Sequence, residues 1–150
     1  MIAMMGQLLA TLCAGLFAGA AVYISLVEHP ARMECGTELA ATEFPPSYRR
    51  ATVMQASLAV LGFLFATVAW LTGASVWWLA GGAILLSVAP FTLGVMMSTN
   101  KQLVDPDLDR TSARAAHLLS RWARLHAVRV VLSLIALPVF LYLLASRNAV

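Results

Sequence analysis

Trp122, His126 and Arg129 stand four and three residues apart in the chain, the intervals that bring helical side chains onto one face. An imidazole titrates at about 6.5 and can accept a proton at neutral pH. A guanidinium one turn away stays cationic and donates through a planar fork. A His and an Arg on one helical face that meets the bundle need partners there. Other polar residues gather at three more places: Glu28, His29 and Pro30; Tyr48, Arg49 and Arg50 with Gln55 just behind; and Asn100. Each also has a plain structural use. Arg129 could pair with Glu28, and His126 could be hydrogen-bonded at an interface. Asn100 could cap a helix, and Trp122 could anchor a membrane boundary.

The elements that position these residues follow from composition. Of 150 residues, 61% are hydrophobic and 11% charged, and the mean hydropathy is +0.82; a soluble domain carries about 25% charged residues. Such a chain cannot cover its surface with polar groups in water, which excludes a cytosolic globule, a disordered tail and a nucleic-acid binder. No charge occurs in 1–27 or 51–100. A helix needs about 20 apolar residues to cross a hydrocarbon layer of ~30 Å, so four spans fit, near 2–27, 52–72, 76–97 and 128–144. Backbone amides in lipid must be satisfied internally, and the apolar runs are continuous rather than alternating as in barrel strands. The expectation is a single all-α domain over 1–150, an integral membrane four-helix bundle. A basic interfacial helix over 111–127 continues into the fourth span. The first run carries no basic residue before it and outlasts a signal-peptide core, so it reads as a retained span.

With four spans, segments 28–50 and 101–129 share one side. They hold nine of the ten Lys and Arg residues, leaving Arg147 alone on the other. The positive-inside rule places both long loops in the cytoplasm and both termini outside, in the inner membrane of the cell. Trp70, Trp77 and Trp78 then lie where an outer aromatic belt would be. Every polar cluster named above falls at the cytoplasmic face.

At 100° per residue, Arg110, Arg114, His117, Arg121 and Arg124 form one stripe suited to lipid headgroups. Trp122, His126 and Arg129 share a different sector with Ala115, Leu119 and Ser133, roughly 130° away; that sector meets the bundle. Gly15 and Gly19 form a small-xxx-small pair that could admit a close helix approach. Pro90 and Pro138 should kink their spans. Cys13 and Cys35 form no CxxC, so neither a disulfide nor a zinc site is expected. Glu28, His29, His117 and His126 could be assembled into a metal set, but their placement argues against one, and scattered methionines fit gap-filling.

The runs Leu26-Val27-Glu28-His29-Pro30-Ala31-Arg32, Tyr48-Arg49-Arg50 with Met54-Gln55, Thr99-Asn100 with Leu103, and Trp122-x-x-x-His126-x-x-Arg129 resemble the anthrone-oxygenase-like integral membrane family over nearly the whole chain. The resemblance implies a cofactor-independent oxygenation in which an activated aromatic methylene meets O₂ and becomes a quinone carbonyl. On that reading His126 is the base, Arg129 and Asn100 hold the oxyanion, and Trp122 flanks the ring. Glu28 orients His126 or neutralises Arg129, while Gln55 and Tyr48 complete the substrate site. The partners expected are the lipid bilayer and a lipophilic anthrone- or quinol-like aromatic, with homo-oligomerisation left open. A bundle that only binds a quinone or lipid, or serves as small subunit of a membrane complex, uses the same residues without turnover. A channel is disfavoured, because 51–100 carries only scattered Ser, Thr and Gln.

Overall fold

The computed structural model describes residues 1–146 and contains no strand among them. Arg147, the lone basic residue of its side, lies outside the described residues. Four helices are each long and apolar enough to cross a membrane: α1 (Ile2–Glu34), α2 (Thr37–Leu71), α3 (Trp77–Leu103) and α4 (Ala113–Ser146). The chain is an all-α membrane four-helix bundle. With 33, 35 and 34 residues in α1, α2 and α4 and 1.5 Å of rise per residue, three of the helices are about 50 Å long. Each therefore projects beyond a ~30 Å hydrocarbon layer, and all do so at the end where the charges lie, called here the basic end.

Segment 28–50, expected as a loop, is helical except for a turn at Cys35 and Gly36. Gly36 supplies that turn with φ +93°, a backbone region closed to most side chains. Helix α2 then runs unbroken past Pro45 and Pro46, which cannot donate helical hydrogen bonds. The expected irregularity appears in α3, where the regular helix stops at Leu86, resumes over Val88–Phe91 and passes into a π turn at Thr92–Met96. Pro90 sits in the middle of this stretch. Helix α4 continues through Pro138. A second π turn, Ile24–Glu28, interrupts α1.

Packing follows the logic of a helix bundle in lipid, where burying leucine against leucine gains nothing over acyl chains and small residues let backbones approach. Ala10, Ala14, Ala21, Ala66, Ala69 and Ala136 are completely buried, while Leu8, Leu12, Leu16, Leu61 and Leu64 are exposed. The close approaches occur at glycines other than the expected pair. A Cβ on Gly6 would meet the Phe65 carbonyl oxygen at 2.9 Å, and one on Gly62 would meet the Leu85 side chain at 2.7 Å. Gly19 faces nothing within 4 Å, and Gly15 meets only a leucine tip. Trp78, expected in an aromatic belt, is instead buried and stacked on Phe140 at 5.3 Å; Trp70 and Trp77 remain exposed.

Two apolar clusters fill the interior. One, around Ala10, Phe17, Trp78, Leu85 and Phe140, occupies the half away from the charges. The other, around Phe44, Met96, Leu103, Leu119 and Trp122, lies at the basic end. Between them runs a layer of polar residues. Helix α4 turns Ala115, Leu119, Trp122, His126 and Ser133 inward, while Arg114, His117, Arg121 and Arg124 are exposed, so the stripe and the bundle-facing sector separate as the 100° geometry requires.

Candidate functional site

The polar layer is assembled from all four helices. His126 of α4 is 1% exposed. Its Nδ1 lies 2.9 Å from the hydroxyl of Ser25 on α1, a residue set by the π turn that begins at Ile24. One face of the imidazole stacks on Trp122 at 4.7 Å. Trp122 is held in turn edge-on by Phe44 at 5.3 Å and meets the His29 ring at 5.4 Å. Phe44 stacks on Tyr48 at 5.6 Å. Trp122 is therefore a wall of the interior and not an anchor at the membrane surface.

Arg129, one turn further along α4, reaches across to α2, where its Nη2 donates to Oε1 of Gln55. Its guanidinium carbon lies 5.7 Å from the centre of the Phe17 ring. No carboxylate stands within 4.0 Å of it among the described residues. The ion pair expected with Glu28 does not form. The Glu28 carboxylate is taken by Arg32, four residues on in the same helix, and by Ser47, whose hydroxyl donates to it at 2.8 Å. Arg32 is 6% exposed at its side chain and is also paired through Nε with Glu43 at 3.0 Å, off hydrogen-bond alignment. Glu28 thus contacts neither His126 nor Arg129; it ties α1 to α2 at the edge of the layer.

Asn100 on α3 is 1% exposed, and its Nδ2 donates to the Tyr48 hydroxyl at 3.3 Å. Its side chain does not cap α3. Several buried polar atoms are left without a hydrogen-bond partner: Nε of Arg129, Nε2 of Gln55, Oδ1 of Asn100, Oγ1 of Thr99, Nε1 of Trp122 and Nδ1 of His29. Buried polar groups are satisfied in nearly all folded proteins, and each exception needs a cause. Here the exceptions share one layer. A cavity of about 20 Å³ opens among Tyr48, Gln55, Trp122, His126 and Arg129, space for about one water molecule. Among the described residues no three His, Cys, Asp or Glu side chains converge as metal ligands would.

The structure therefore brings His126, Arg129, Gln55 and Trp122 around one cavity, with Asn100 joined through Tyr48, and sets Glu28 at its rim. Sequence reasoning gave no role to Ser25, or to Arg32 and Thr99, which stand only within the runs that carry the resemblance. The Glu28–Arg32 pair was readable from its four-residue spacing. Nothing local marks Ser25, because a π turn alone sets its register.

These features define a membrane helical bundle with a buried, incompletely satisfied polar layer. The family model for anthrone oxygenase matches residues 44–139, more than half of the chain, and the protein belongs to that family. The matched stretch contains Tyr48, Gln55, Asn100, Trp122, His126 and Arg129, while Ser25, Glu28 and Arg32 lie before it. No curated protein and no solved structure matches the chain significantly.

Proposed function

We propose that the protein is a cofactor-independent oxygenase of a lipophilic anthrone- or quinol-like aromatic, working from the polar layer, with its basic end in the cytoplasm. The observation that carries this is the Arg129 guanidinium, half-buried in the layer with its Nε shut off from solvent and unpartnered, with an amide and a phenyl ring as neighbours and, among the described residues, no carboxylate within 4.0 Å. A cation at membrane depth is costly and ordinarily paired. An unpaired one, beside an imidazole and unsatisfied amides, suits an anion that forms only during reaction.

The chemistry balances with substrate and O₂ alone. His126 removes a proton from the activated methylene, directly or through one water in the small cavity, leaving an enolate. Arg129 and the free Nε2 of Gln55 donate to the enolate oxygen, which lowers the barrier where charge develops. Tyr48, whose oxygen accepts from Asn100 Nδ2, completes the donor set through its own hydroxyl, and Trp122 stacks on the imidazole. The enolate gives one electron to O₂, and the carbon radical and superoxide combine; the proton on His126 passes to the peroxide. The hydroperoxide then loses water, so that CH₂ plus O₂ becomes C=O plus H₂O. The test is oxidation of a dihydroxyanthrone by membranes carrying the protein, against spontaneous autoxidation. His126→Gln should return the rate to background. Unchanged turnover would remove His126 as the base.

A further inference from the structure

Arg129 and Gln55 line a second, larger space on the side away from Glu28. It has a volume of about 200 Å³ and lies between α2 and α3, with Ala56, Ala59, Val88, Ala89 and Leu93 as its apolar walls and Tyr48, Gln55 and Arg129 at its inner end. Its existence follows from the packing. In the half away from the charges α2 and α3 are pressed together, with Gly62 against Leu85 and Gly82 against Ala66 and Phe63. Beyond Leu86 the regular helix breaks, and the π turn at Thr92–Met96 widens α3. There Ala56 and Ala59 of α2 and Ala89 of α3 line the gap beside Val88, Thr92, Leu93 and Met97, and the short alanine side chains leave it unfilled. At the mouth, Ala56 is exposed and Leu93 is 65% exposed, on the surface that the bundle turns toward acyl chains. A larger crevice of about 520 Å³ opens between α1 and α2, but Glu28, Glu43 and Arg50 line it and neither His126 nor Arg129 does.

Resting on the oxygenase reading above, we propose that the aromatic substrate enters sideways from the bilayer through the α2–α3 crevice, and that Ala56 and Ala89 set the size of the fused ring it accepts. The ring leaves lipid for an apolar chamber, so little desolvation opposes entry, and its oxygen comes to rest at the guanidinium. The chamber and the 20 Å³ cavity share Tyr48, Thr52, Gln55 and Arg129, so a ring seated in the chamber presents its polar edge to the layer that holds His126.

The experiment uses the full chain in phosphatidylcholine nanodiscs, with 1,8-dihydroxyanthraquinone as binding probe and the matching dihydroxyanthrone as substrate. Ala56→Phe and Ala89→Phe put bulk into the chamber from opposite walls at positions that are not tightly packed; Leu64→Phe, exposed elsewhere on α2, is the control. The expected result is probe binding at least tenfold weaker in both chamber variants, unchanged in the control, with turnover falling in parallel. If both chamber variants bind the probe as wild type does while Arg129→Gln does not, the ring sits elsewhere, the inference is overturned and the oxygenase reading stands. If wild type binds the probe but oxidises nothing, and Ala89→Phe abolishes binding, the chamber stands and the oxygenase reading falls. Wild-type protein that neither binds nor turns over refutes both.

Discussion

Replacing Arg129 with methionine separates a reaction site from a structural ion pair, because the two make opposite predictions for stability. A cation within the membrane costs about 2.5–3.5 kcal/mol on the insertion scale, and the substitution removes that cost. It also forfeits the charge-assisted bond to Gln55, about 1.5–3 kcal/mol, and the contact with Phe17, about 0.5–2 kcal/mol. The balance lies within about 2.5 kcal/mol of zero in either direction. A buried pair broken by removing one partner would instead lose about 3–5 kcal/mol. Turnover should behave differently: losing a donor aimed at a developing oxyanion costs on the order of 10²–10³-fold in kcat. The assay is reversible denaturant unfolding in mixed micelles beside anthrone oxidation by the same preparations. Near-native stability with turnover down by two orders of magnitude is expected. Destabilisation above about 3 kcal/mol with kcat intact would show that Arg129 serves the fold, and the reasoning from its missing counter-ion would fail.

Other substitutions probe the supports of the layer. Ser25→Ala removes the hydrogen bond that fixes the His126 ring, so kcat should fall by about 2- to 10-fold with KM unchanged. Ser25→Thr, which keeps the hydroxyl, should recover most of the loss, and equal rates in all three would deny Ser25 a positioning role. Arg32→Gln should cost about 1–2 kcal/mol in an unfolding titration, a modest figure because Glu28 and Glu43 are partly exposed and solvent screens them; wild-type stability would deny the pair a part in tying α1 to α2. Gly6→Ala drives a methyl against the Phe65 carbonyl oxygen, where no side chain can yield, and should destabilise by about 1–3 kcal/mol; wild-type stability would contradict the close packing of α1 on α2.

Much of the fold was legible because lipid imposes simple rules. Uncharged runs over 1–27 and 51–100 had to be helical, and the 3.6-residue period of α4 separated Trp122 and His126 from the arginine stripe before any packing was known. The polar segment 28–50 misled for the opposite reason. Charge there signals departure from the hydrocarbon layer, not the end of a helix, so α1 and α2 continued past the boundary that composition marked. Composition cannot tell a tryptophan facing lipid from one stacked on Phe140, so the belt expected at Trp78 gives way to a buried ring. The site was legible as a set of residue types at one depth, and the partners within it were not. Arg129 meets Gln55 instead of Glu28 because lateral position, which no spacing reveals, decides who touches whom. Ser25 and the α2–α3 crevice depend on π turns, whose extra residue shifts the helical register in a way that local sequence does not announce.

The most direct test of the central claim is single-turnover oxidation of a dihydroxyanthrone carrying deuterium at its methylene, by wild-type protein and by His126→Gln in nanodiscs. Proton abstraction in the polar layer predicts a large primary isotope effect in the wild type and oxidation at the spontaneous rate in the variant. Equal rates for the light and heavy substrates, together with a variant as fast as wild type, would contradict it.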